Sequence, residues 1–221
     1  MTRRTLIAGL AIAGWGALVL QLYLVLQVRW SMGASLVGGL INFLSYFTVL
    51  SNTLAASVLT AAAWPSATAP GRWLRSPSAA GCALVSILLV GAAYNLLLRT
   101  LWAPQGAQWL ANEVLHNLMP PAFLVFWWWC VPKGHLRWSQ LARWALYPLG
   151  WYGFTLLRGW SVGVWPYPFI DVLELGFARA LFNALGLFAV FCLGGAAVIA
   201  LDRRLGVRLA RRHLAASSPP P

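Results

Sequence analysis

The chain has 221 residues, of which 60% are hydrophobic and only 9% charged. A soluble domain carries about a quarter charged residues, so this composition excludes a water-coated globule. The net charge of +12 does not point to nucleic acid. The basic residues cluster at the ends of apolar runs rather than along one face, which is the pattern of a positive-inside bias.

A helix of about 20 apolar residues crosses a bilayer, and six such runs follow one another: 6–27, 40–63, 80–101, 109–131, 141–158 and 177–201. The first exceeds the roughly 7–15 apolar residues of a signal-peptide core, so it is expected as an uncleaved span. Breakers separate the runs. A Pro-, Ser- and Gly-rich loop covers 63–77, and Val131-Pro132-Lys133-Gly134 opens another. The segment 159–169 holds two prolines, which forbid a regular helix, and aromatic residues suited to a membrane interface. It is expected either as a cap over one opening or as an ordinary interfacial loop. The fold class is therefore all-α: a polytopic six-transmembrane-helix bundle over 1–201, with a basic tail over 202–221. Within that tail, 202–213 is expected to lie on an anionic leaflet, and 217–221 to be disordered.

Orientation follows from the cations. Arg3, Arg4, Arg72, Arg75, Lys133, Arg137, Arg143, Arg203, Arg204, Arg208, Arg211 and Arg212 flank one side, against Arg29, Arg99, Arg158 and Arg179 on the other. The richer side is expected in the cytoplasm, with both chain ends there and the protein in the inner membrane. Tryptophans mark both interfaces, Trp30, Trp102, Trp109, Trp160 and Trp165 outside, and Trp64, Trp127, Trp128, Trp129, Trp138 and Trp144 inside. No internal repeat is visible, which weighs against a transporter built from repeated halves. Cys82, Cys130 and Cys192 stand alone without a CxxC pair, so neither a disulfide framework nor a zinc site is expected.

Polar side chains inside apolar runs ask for a reason, because hydrocarbon does not solvate them. The second run carries Asn42, Ser45, Thr48 and Asn52; Ser45, Thr48 and Asn52 share one helical face. The fourth carries Asn112, Glu113, His116 and Asn117 in its first two turns. At a rise of 1.5 Å per residue, Thr48 sits roughly 12 Å and His116 roughly 10 Å below the outer boundary. Tyr94, Asn95 and Arg99 of the third run arrive at a similar level. A neutral histidine activates a hydroxyl for attack on an acyl carbon. Glu113 is a candidate to orient the ring, and Asn112, Asn52 or Asn95 to donate to an oxyanion. The plainer readings stand beside these. Thr48 fits a backbone-bonded helix-interface residue, His116 an interhelical hydrogen bond, and Glu113 an ion pair with Arg99. One histidine and one carboxylate at that level do not make a metal site, and no cofactor is expected.

Tyr46-Phe47-Thr48-Val49-Leu50, Asn112-x-x-x-His116-x-x-x-x-Pro121, and Trp165-x-Tyr167-Pro168-Phe169 with Gly176-x-x-Arg179 occur in this order. Together they make the chain resemble the androgen-induced protein family of six-span membrane proteins, and more closely its bacterial six-span relatives. Animal members are intramembrane threonine hydrolases that cleave fatty acid esters of hydroxy fatty acids. The resemblance implies Thr48 as nucleophile and His116 as catalytic histidine. Glu113 stands where the animal proteins tend to carry a second histidine. The expected function is a lipid esterase acting on a long-chain acyl ester from the outer leaflet. The alternative is a non-catalytic membrane protein that binds a lipid or scaffolds a partner.

Overall fold

The computed structural model describes residues 2–217, with side chains through Arg211. Among the described residues every regular element is helical. Helix α1 (Arg3–Ser31) is followed by α2 (Leu36–Leu44), α3 (Phe47–Ala63), the short α4 (Ala69–Leu74) and α5 (Pro77–Ala93). Then come α6 (Gly106–Glu113), α7 (Met119–Cys130), α8 (Ser139–Val162), the single turn α9 (Val172–Leu175) and α10 (Phe177–Ser217). A π turn, Tyr94–Leu98, extends α5, and a second, Val114–Leu118, joins α6 to α7.

Three helices are long and apolar enough to cross a membrane: Arg3–Ser31, Pro77–Leu98 and Phe177–Arg211. A fourth crossing is counted if α2 and α3, bent by 74° at their junction, form one span. The expected spans 109–131 and 141–158 do not reach that standard. The first is diluted by Asn112, Glu113, His116, Asn117 and two prolines, and the second by Arg143 and by the Arg158 at its end. The chain nonetheless turns many large apolar side chains outward, among them Leu96, Phe182, Leu193 and Leu157. A surface of that kind suits lipid and not water.

Helices α1, α3, α5 and α7 pack side by side around the main core, with α10 laid against α5 and α8 laid against α10. Small residues let the backbones approach. Ala55, Ala56, Ala61 and Ala63 of α3 are buried, and Gly14 of α1 lies against Met119 and Ala56. This is the way helices associate where lipid supplies no hydrophobic drive. Phe123, Trp127, Phe191, Leu59, Leu84 and Ile87 fill the remaining space.

The second expected span differs from the sequence reading. A single helix over 40–63 is interrupted at Ser45 and Tyr46, with Tyr46 extended at φ −82 and ψ 124. Neither proline nor glycine occupies the break; tertiary partners hold it instead. Trp151 Nε1 donates to the Ser45 carbonyl at 2.8 Å, and Arg158 donates to the Asn42 side-chain oxygen at 2.9 Å. Ser45, expected on the same face as Thr48 and Asn52, therefore belongs to the break and not to that helix.

The basic segment 202–213 also departs from expectation. It continues α10 without interruption through Arg211 and beyond, to Ser217. Asp202 is fully buried, and its carboxylate accepts the N–H groups of Gly134 and Leu136 at 3.0 and 2.9 Å. At Gly206 the α10 backbone touches Gly134 so closely that a Cβ would collide with main chain. The loop after α7 is thereby docked on the long helix. Residues 218–221, expected as the disordered end of the tail, lie outside the described residues.

Candidate functional site

Thr48 is the second residue of α3, in a first turn whose N–H groups have no carbonyl one turn back. The cap residue Tyr46 supplies no side-chain bond. The Thr48 N–H instead donates to the Tyr167 hydroxyl at 3.2 Å, and that hydroxyl stands 3.2 Å from Thr48 Oγ as well. The break before Phe47 is what exposes this donor; in an unbroken helix it would be spent on a preceding carbonyl.

His116 lies inside the π turn between α6 and α7. A cause is written in the sequence. Pro120 and Pro121 have no N–H, so neither can donate to the carbonyls of Leu115 and His116 in α or π pattern. The Asn52 amide takes up the Leu115 carbonyl at 3.2 Å while also bonding the Thr48 carbonyl at 3.0 Å. Gly91 allows α5 to lie against the other: a Cβ there would stand 3.1 Å from the His116 carbonyl oxygen. The same side chain that compensates for the prolines thus fastens the helix carrying Thr48 to the turn carrying His116.

The side chains of Thr48 and His116 meet. Thr48 Oγ and His116 Nε2 are 3.3 Å apart. His116 Nδ1 lies 3.0 Å from the Asn112 carbonyl oxygen. A carbonyl only accepts, so Nδ1 carries the proton and Nε2 is left as an acceptor facing the threonine hydroxyl. Tyr94, in the opposing π turn, stacks on the imidazole at 4.2 Å with 24° between the rings. The ring is fixed in tautomer, tilt and position.

The supporting residues sit differently from their expected roles. Glu113 does not reach His116: its carboxylate accepts from Asn117 Nδ2 at 2.8 Å. Asn117 in turn accepts from Asn95 at 2.8 Å, and Asn95 from Arg99 at 2.7 Å. The expected Arg99–Glu113 pair is thus a relay through two amides on the flank of the site. Asn112 donates its amide to the Tyr94 hydroxyl at 2.6 Å, and Asn52 spends its own on two carbonyls. None of the three asparagines offered for an oxyanion is directed at Thr48 Oγ. The hydroxyl directed at Thr48 Oγ is that of Tyr167, which the sequence reading left in the 159–169 loop. Its position in the Trp165-x-Tyr167-Pro168-Phe169 motif was the available signal.

The loop reaches inward because its aromatics are buried. Tyr167 packs edge-on against Tyr46 at 5.5 Å and stacks on Phe169 at 5.1 Å. Asn183 of α10 holds the Phe169 carbonyl at 2.9 Å. Burial pushes the Tyr167 phenol up to about 12, only partly opposed by the Thr48 hydrogen bonds. It is a neutral O–H donor throughout the ordinary pH range.

Two cavities meet at this point. One, of about 180 Å³, runs between α5, α8 and α10 and is walled by Val90, Ala93, Trp151, Ile170, Ala184 and Phe188. The other, of about 530 Å³, is more polar and includes Gln21, Asn42, Gln108, Asn112 and His116. Thr48, Tyr94, Leu98 and Tyr167 line both. Among the described residues no group of three or more His, Cys, Asp or Glu side chains is assembled as a metal site. Comparison with known proteins returns no matching family model, no matching curated protein and no matching solved structure.

Proposed function

We propose that the protein is an intramembrane lipid esterase in which Thr48 is the nucleophile and His116 the general base. The chain would cross the inner membrane six times with both ends cytoplasmic. The observation that carries the chemical reading is the 3.3 Å approach of Thr48 Oγ to His116 Nε2, with the tautomer set by the Asn112 carbonyl. As Thr48 Oγ attacks the acyl carbon, its proton passes to Nε2. The oxyanion forms beside the Tyr167 O–H at the positive end of α3; the Thr48 N–H, by donating to that hydroxyl oxygen, strengthens it as a donor, and the helix dipole adds to it. The tetrahedral intermediate collapses, and the leaving alkoxide takes the proton from His116. Water, activated by the same imidazole, then releases the acid from Thr48.

The two cavities suit an ester with unlike arms. The narrow apolar one accepts a plain acyl chain, and the wider polar one accepts the arm bearing a carboxylate or hydroxyl. Fatty acid esters of hydroxy fatty acids have that form. Purified protein in detergent, offered a panel of long-chain acyl esters, is expected to release fatty acid detectable by mass spectrometry. Thr48→Ala should abolish release, and His116→Ala should lower it by about 10²–10⁴-fold, in proteins that remain folded. Release that survives both substitutions sinks the assignment. The competing reading, a lipid-holding protein without turnover, draws on the carbonyl that stands behind His116 in place of a carboxylate. It predicts retained lipid and no release from any ester.

A further inference from the structure

A third cavity, of about 490 Å³, lies at the other end of the bundle, between the start of α1 and the ends of α3 and α7. It is separated from Thr48 by the length of α3, about 22 Å at 1.5 Å per residue. Three arginines, Arg3, Arg4 and Arg75, line it together with apolar walls from Ile7, Val58 and Phe126. Each cation is tethered to a fixed point. Arg4 Nε donates to the Ala63 carbonyl at 2.7 Å, and Arg3 Nε to Cys130 Sγ at 3.2 Å, with a further bond to the Trp129 carbonyl. Arg75 reaches the Ser66 carbonyl at 3.4 Å. These bonds use only part of each fork and leave N–H groups over for the cavity.

No carboxylate is at hand to balance them. The chain has four acidic residues, none of which lines this cavity. Glu113 is engaged with Asn117, Asp202 with Gly134 and Leu136, and Asp171 caps α9, whose first turn holds Glu174. Cations near helix C-termini offset the dipole, which accounts for Arg3 and Arg4 but not for the apolar hollow beneath them. Clustered guanidiniums repel unless an anion sits among them, and apolar walls ask for a hydrocarbon chain attached to it.

We propose that this cavity binds an anionic phospholipid, its phosphate among Arg3, Arg4 and Arg75 and an acyl chain along Ile7, Val58 and Phe126. The site is independent of the hydrolase reading and requires no turnover. The test is thermal unfolding in a non-ionic detergent with added dioleoylphosphatidylglycerol, dioleoylphosphatidylcholine, inorganic phosphate or oleate, beside native mass spectrometry of retained lipid. Phosphatidylglycerol should raise the melting temperature and be retained in preference to phosphatidylcholine. That preference should fall about fivefold for each arginine removed in the series Arg3→Gln, Arg4→Gln, Arg75→Gln. Arg72→Gln, at the same end but outside the cavity, should leave it intact. Ala62→Phe, which fills the cavity without touching a charge, should abolish it. Should the triple variant fold poorly, Arg75→Gln alone and Ala62→Phe carry the test. Equal effects of phosphatidylcholine, of inorganic phosphate or of oleate overturn the proposal. So does a preference that survives Ala62→Phe, which would mean a diffuse surface field.

Discussion

Tyr167 touches both the backbone donor and the hydroxyl of Thr48, so a single substitution tests whether it works or merely packs. Tyr167→Phe keeps the stacking on Phe169 and the edge contact with Tyr46 while deleting the O–H. Loss of one oxyanion donor costs about 10²–10³-fold in kcat, and that loss is expected here with little change in melting temperature. The pH profile follows from the same site. With His116 as the proposed base, the rate should fall on the acid side as the imidazole takes a proton. Tyr167, with burial raising its phenol to about 12, should add no alkaline limb below that value. A second limb near neutrality in the pH dependence of ester release would place another titrating group at the centre.

At the scale of the elements, a broken helix and two π turns bring the site together. Asn52 is the joint: it bonds the Thr48 carbonyl on its own helix and the Leu115 carbonyl left vacant by Pro120. Asn52→Leu removes both bonds at similar volume. A buried carbonyl without a donor costs about 1–3 kcal/mol, so a lowered melting temperature and a lower ester-cleavage rate are both expected; an unchanged melting temperature would contradict the role. The spacing that put Thr48 and His116 at one level was legible in the sequence. Pro120 and Pro121, two consecutive residues without N–H groups, stood in a run read as one unbroken span over 109–131, and the π turn before them was not foreseen. The break at Ser45 and Tyr46 was not legible, because its causes are Trp151, Arg158 and Tyr167, more than 100 residues away. For the same reason Glu113 looked like the partner of His116. One helical turn of separation suits such a contact, but the π turn sends the Nδ1 bond to a main-chain carbonyl and leaves Glu113 to Asn117.

For the molecule as a whole, the proposed orientation makes Arg203 and Trp102 lie on opposite sides of the membrane. With the native cysteines replaced, a single Trp102→Cys variant should react with an impermeant thiol reagent in intact cells. Arg203→Cys should react only after disruption, and the reverse order would invert the topology. The long final helix bears on both ends of the bundle. Near its start, Asn183 holds the segment that carries Tyr167; nineteen residues on, Asp202 clamps the loop after α7. The distance is about 28 Å at 1.5 Å per residue, spanned by one uninterrupted helix. It is in effect a strut. Through α10 the loop at the basic end is joined mechanically to the segment in which the hydroxyl of Tyr167 meets Thr48.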